Sequence, residues 1–207
     1  MARISRKVAA EAATQGIMTA IKEFDEWMGE YSWSFPEYVF TTYIARELGE
    51  RGISFGLENN VGNVLKGAEA VTPGPFKKRL KASGRADIVL YRANEYPFAL
   101  IEVKRQAWVF NKIASDFERI SLALLENPER SSLDFTAIAF SLESPATLDE
   151  KLSCEERLTS WIDCVYGEFS ERATARGLTS QLYKAETETN GDTAWGAYCM
   201  VLSRPRS

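Results

Sequence analysis

Two short apolar runs with charges set into them constrain this chain more than any other feature. The first is Ile88-Val89-Leu90, opened directly by Asp87, and the second runs from Phe98 through Leu100, Ile101, Glu102 and Val103 to Lys104. Both are rich in β-formers, and Asn94 and Pro97 punctuate the polar join, so the spacing predicts two neighbouring strands. Strand side chains alternate, which puts Glu102 and Lys104 on one face, and pairing of the strands brings Asp87 beside them. An aspartate at a strand start is often a cap or turn residue, and Glu-x-Lys is a common tripeptide. Here, however, each charge interrupts an apolar run, where burial is costly unless the group is paired or holds a cation. Two carboxylates and an ammonium at a sheet edge describe a divalent-metal site with a base or charge stabiliser built in.

The residues that are missing narrow the chemistry. The chain has no histidine, which removes histidine triads, histidine zinc sites and histidine general bases. Catalysis is left to carboxylates, lysine, tyrosine or cysteine. Cys154, Cys164 and Cys199 are odd in number and lack metal-type spacing, so they read as reduced, structural thiols. No apolar run approaches the roughly 20 residues that span a bilayer, and Met-Ala-Arg-Ile-Ser-Arg-Lys is followed by no signal-type apolar core. A cytoplasmic protein with no membrane partner is the expectation.

Net charge is −4, yet the distribution points to a polyanion. Lys66 to Arg119 holds eleven basic and six acidic residues, while the flanks carry the compensating acid. The densest stretch is Lys77, Lys78, Arg79, Lys81 and Arg85, five bases without an acid, leading straight into Asp87. Such a run is often a solvated loop. Beside two carboxylates it reads as a grip on a phosphate backbone.

With 207 residues, 45% of them hydrophobic, the chain is large enough for one well-buried core, and a single domain over 1–207 is expected. Residues 1–33 read as an added N-terminal helical extension, with Ile17, Ile21, Phe24 and Met28 at helix spacing over 4–29. Residues 34–140 form the core. Ser34-Phe35-Pro36-Glu37 opens a helix with Phe40, Ile44 and Leu48 as its buried stripe. Glu37 shares that face, although an acid there also complements the helix dipole, worth about 0.3–1 kcal/mol. Ile53–Glu58 alternates as a strand, 63–80 reads as an exposed loop, and the two charged strands follow. A helix runs from Trp108 to about Asn127, and Phe135–Phe140 is a nearly all-apolar central strand. Residues 141–207 complete the domain with a helix from about Leu148 to Ala175, a polar loop over 184–194 and a last strand over 195–202. On the helix after Lys104, the residues Lys112, Asp116 and Arg119 share one face, by default a surface ion-pair ladder.

Asp87 followed by Glu102-Val103-Lys104, with apolar residues leading into the second motif, resembles the PD-(D/E)xK nuclease superfamily. The chain departs from that pattern at Ala86, where the family has proline. The resemblance implies the α/β restriction-endonuclease-like fold, an αβββαβ core with a central mixed sheet flanked by helices. The order of elements over 35–140 agrees with it. The resemblance also implies a glutamate from the first core helix at the metal site, and Glu37 is the best match, with Glu47 and Glu58 as competitors. Lys112 and Arg119 on the following helix, with Gln106 nearby, become candidate phosphate contacts.

The chemistry then follows from the residue types. Asp87 and Glu102, with the Val103 carbonyl, would hold Mg²⁺, for which Mn²⁺ can substitute, in oxygen coordination. Lys104 would position or activate water, or stabilise charge on the phosphorane. The expected activity is endonucleolytic hydrolysis of phosphodiester bonds, in DNA rather than RNA, with a homodimer as one way to cut both strands. Two other classes compete: a catalytically silent nucleic-acid-binding or assembly subunit of the same fold, and a regulatory domain that binds no nucleic acid.

Overall fold

The alternating and continuous apolar runs assemble into one mixed sheet in the computed structural model, which describes residues 5–28, 36–71, 80–145, 152–190 and 193–205. In chain order the elements are α1 (Arg6–Met28), α2 (Glu37–Glu50), β1 (Ser54–Asn60), α3 (Val61–Gly67), β2 (Arg85–Tyr91) and β3 (Pro97–Lys104). There follow α4 (Ala114–Leu125), β4 (Phe135–Pro145), α5 (Cys154–Thr174), β5 (Thr179–Lys184), β6 (Glu188–Asn190) and β7 (Thr193–Ser203). The strand order is β1-β2-β3-β4-β7-β5, with β6 paired to β7. Only β3 and β4 run parallel among the described pairs. A parallel pair needs a crossover, and α4 supplies it. The chain is therefore mixed α/β, a seven-stranded sheet flanked by helices.

Helices cover both faces. On one side α3, α4 and α5 pack Leu65, Phe117 and Phe169 against Leu100, Ile138 and Phe140. On the other, α1 and α2 pack Ile17, Phe40 and Ile44 against Ile101, Val103 and Ala139. With both faces covered, β4 is buried at every position but its last, which is why its sequence reads as a continuous apolar run. The N-terminal helix contributes alanines as much as large residues: Ala9, Ala10, Ala12, Ala13 and Ala20 are all buried with Ile17 and Ile21. Gly16 lets α1 lie close against α2, since a Cβ there would lie 2.7 Å from the Ile44 backbone.

Several local expectations change. Part of the loop predicted over 63–80 is helix α3, because Asn60 caps it by accepting from the Asn63 N–H at 3.0 Å and Val61, Val64 and Leu65 drop into the core. Residues 72–79 lie outside the described residues. The helix predicted from Trp108 starts later: Trp108 and Val109 stay exposed, a 3₁₀ turn spans Phe110–Lys112, and α4 begins at Ala114. At α2, Pro36 takes the cap position without a side-chain bond, while Ser34 and Phe35 lie outside the described residues. The helix predicted from Leu148 is described from Cys154, where Ser153 and Glu156 form a reciprocal capping box; 148–151 are not among the described residues. The polar stretch 184–194 contains β6, and β5 precedes it unpredicted. Thr179, Ser180 and Gln181 of that edge strand are too polar to announce it.

Candidate active site

The site begins where the β2–β3 ladder stops. Backbone pairing reaches Ile88 opposite Ile101 and goes no further. One step on, the Asp87 side chain takes the place of a backbone acceptor: its Oδ2 accepts from the Val103 N–H at 2.7 Å. That bond holds the Asp87 carboxylate between the two strands. In an extended strand the N–H and C=O of one residue point the same way, so the Val103 carbonyl also faces the Asp87 side, away from β4.

Leu100, Glu102 and Lys104 share the β3 face that looks towards α4. Glu102 is 1% exposed, and from α4 the Arg119 guanidinium pairs with it. The same guanidinium reaches Asp116 Oδ1 at 3.1 Å and donates to the Arg85 carbonyl at 3.2 Å. Burial pushes the Glu102 carboxyl up to about 8, helped by the negative charges of Asp87 and Asp116 and opposed by Arg119 and Lys104. One guanidinium does not offset the loss of water around this carboxylate. Lys104 is the mirror case. Burial alone would lower its pKa, but Asp116, Glu37, Asp87 and Glu102 together raise it, so it remains an ammonium. Its Nζ lies 3.4 Å from Glu37 Oε2 and 3.5 Å from Asp116 Oδ2.

The fold thus gathers Asp87, Glu102, Val103, Lys104, Glu37 and Arg119 from β2, β3, α2 and α4. Glu47 stands apart, paired with Arg51 at 3.5 Å, and Glu58 is 4.0 Å from Arg85 on the exposed side of β1. Lys81 donates to Ser115 Oγ at 2.7 Å, and the Arg85 side chain is largely exposed. Lys77, Lys78 and Arg79 lie outside the described residues. Gln106 accepts from the Glu143 N–H at 3.2 Å, tying the segment after β3 to β4. Of the predicted surface ladder the Asp116–Arg119 rung forms, mostly buried instead of exposed, while Lys112 does not join it. Lys112 sits in the 3₁₀ turn with its Nζ 5.2 Å from the Trp108 ring, while Asp116 and Arg119 are only 13% and 12% exposed. Asp116 is the site residue that sequence reasoning passed over. Its spacing of three from Arg119 was visible, but burial of that pair was not.

Among the described residues no three carboxylates or thiols gather into a preformed ion cage. The donor set still fits a hard divalent cation. Mg²⁺ is usually held by one or two carboxylates and keeps several waters, so Asp87, Glu102 and the Val103 carbonyl suffice. The negative charge of Asp87, Asp116 and an ionised Glu102 is only partly offset by Arg119 and Lys104, which suits a cation in exchange for the Glu102 proton. A cleft of about 340 Å³ opens beside Lys104, with Glu37, Asp116, Arg105, Trp108 and Lys112 on its walls.

The cysteines are all free, with Cys199 buried, Cys164 exposed and Cys154 between. Among the described residues no helix is long and apolar enough to cross a membrane. No protein-family model, no curated protein and no solved structure matches the chain.

Proposed function

We propose that the protein is a divalent-metal-dependent nuclease of restriction-endonuclease-like fold that hydrolyses phosphodiester bonds in DNA. The observation that carries the reading is the Asp87 carboxylate seated on the Val103 amide, next to a Glu102 buried to 1%. The order α2, β1, β2, β3, α4, β4, interrupted by the short helix α3 between β1 and β2, with a parallel β3–β4 pair, supports the fold assignment. The resemblance of the motif supplies DNA as the substrate.

Asp87 and Glu102, with the Val103 carbonyl, would hold Mg²⁺ or Mn²⁺. When bound, such a cation polarises the scissile phosphate and acidifies water. Lys104, kept protonated by its four carboxylate neighbours, is suited to orient the attacking water and to stabilise charge developing on phosphorus, not to act as a base. Glu37 reaches the site through Lys104 and fixes where its ammonium sits. Arg119 is placed to contact a phosphate once a cation has taken its position at Glu102. Lys81 and Arg85 lie on the approach to Asp87.

A cleavage assay on duplex and single-stranded DNA with Mg²⁺ or Mn²⁺ tests this. Wild type should cut, and Asp87→Ala and Lys104→Ala should each lose about 100-fold or more. Equal cutting by both variants would overturn the assignment.

A second reading is favoured by one contact: the Arg119 guanidinium already sits on Glu102. A chain that has permanently replaced the cation by arginine would bind nucleic acid without cutting it. Binding by wild type with no cleavage in either metal selects this reading.

A further inference from the structure

Trp108 has no place in the hydrolytic chemistry, and its position needs explaining. It lies four residues beyond Lys104 and is 41% exposed, with Val109 beside it 46% exposed. The chain stays irregular up to the 3₁₀ turn, and the indole is left on the wall of the cleft that opens at Lys104. Lys112 reaches back over the same ring, its Nζ 5.2 Å from the centroid. Arg105 and Lys112 place positive charge on the wall of this cleft with the indole. At about 340 Å³, the space falls in the range of small-ligand pockets. It has room for one base and its sugar beside the indole.

We propose that Trp108 is a stacking platform for an unpaired nucleobase, which makes single-stranded nucleic acid, or a frayed or overhanging end, the preferred substrate class of this site. The inference deepens the nuclease reading and rests on it for the polarity of the neighbouring phosphate. A base has a π-face whatever its sequence, and an exposed indole flanked by lysine and arginine is the arrangement that single-strand binders use to hold base and backbone together. An aromatic ring at the cleft wall has nothing to stack on in a paired duplex, whose bases are already covered. Lys104 takes the scissile phosphate at one end of the cleft, its charge shared with Glu37 and Asp116, while Arg105 and Lys112 offer charge to a neighbouring phosphate and leave the indole for the base.

Binding of a short single-stranded oligonucleotide, measured by fluorescence anisotropy in EDTA so that no cutting occurs, tests the assignment. Trp108→Ala should weaken it by about 5- to 150-fold and Trp108→Phe by only a few-fold. An abasic spacer scanned along the oligonucleotide should reproduce the loss at one position, and there Trp108→Ala should add little more. Tyr96→Ala is the control. That side chain is equally exposed, 41%, but lies at the opposite end of β3 and should change nothing. Equal affinity of wild type and Trp108→Ala, or a loss no smaller in Trp108→Phe, overturns the proposal whether or not the protein cuts. A wild type that binds through Trp108 and never cuts with Mg²⁺ or Mn²⁺ leaves this proposal standing and removes the nuclease reading instead.

Discussion

The carboxylate of Asp87 sits on the main-chain amide of Val103, 2.7 Å away, at the point where β2 and β3 cease to pair. The bond does two jobs. It satisfies a backbone donor that the missing ladder would leave empty, and it seats the Asp87 carboxylate near enough for its charge to act on Glu102. Separating these jobs gives the first prediction. Asp87→Asn keeps an acceptor oxygen, so its thermal unfolding should resemble wild type while its cleavage is lost. Asp87→Ala should lose cleavage and, by exposing the Val103 N–H, about 1–3 kcal/mol of stability. Denaturant unfolding of the two variants side by side measures the difference.

Glu102 predicts how metal-free stability varies with pH. Its carboxyl titrates near 4.5 in an unstructured chain and is pushed up to about 8 by burial in the fold. Between those values the folded protein keeps a proton that the unfolded chain has released, so stability should fall as pH rises across the window. Urea unfolding in EDTA from pH 5 to 8.5 should show that decline, and Glu102→Gln should flatten it. Saturating Mg²⁺ should flatten it as well, because a bound cation favours the ionised carboxylate. A decline that survives Glu102→Gln would assign it to another group.

Arg119 and a cation should compete for Glu102. Arg119→Gln leaves Asp116 without its guanidinium and Glu102 without its hydrogen-bond partner, and should cost about 1–3 kcal/mol in EDTA. Added Mg²⁺ should raise the melting temperature of Arg119→Gln more than that of wild type. If Mg²⁺ stabilises neither, arginine is the permanent counter-ion and the silent-subunit reading gains.

Gly16 tests the packing that supports α2. A methyl group there would sit 2.7 Å from the Ile44 backbone, so Gly16→Ala must push α1 and α2 apart. The expected cost is about 1–3 kcal/mol, read by denaturant unfolding. Since Glu37 rides on α2, the variant should also weaken the Glu37–Lys104 contact, which a modest fall in cleavage at saturating substrate would report.

Much of the site was legible in the sequence because charges inside apolar runs are costly and therefore informative. Asp87, Glu102 and Lys104 announced themselves that way, and period two put the last two on one face. Arg119 and Glu37 were legible only as members of helix faces. What could not be read was which of those faces would be buried. Lys112 and Arg119 flank Asp116 at spacings of four and three, yet one rides over an exposed indole and the other is its mostly buried ion-pair partner. That split depends on where α4 begins, and a 3₁₀ turn at Phe110 moved the start by several residues. The fold shows the same limit. Buried strands such as β4 declare themselves by composition, whereas β5 and β6, polar and at the margin of the sheet, are fixed by pairing with β7 alone.

The most direct test is diffraction from crystals soaked in Mn²⁺, using the anomalous signal of the metal. One peak or two should appear between the side chains of Asp87 and Glu102, within coordination reach of the Val103 carbonyl, with the Arg119 guanidinium withdrawn from Glu102. A map with no anomalous density there, and Arg119 still seated on Glu102, would contradict the metal assignment.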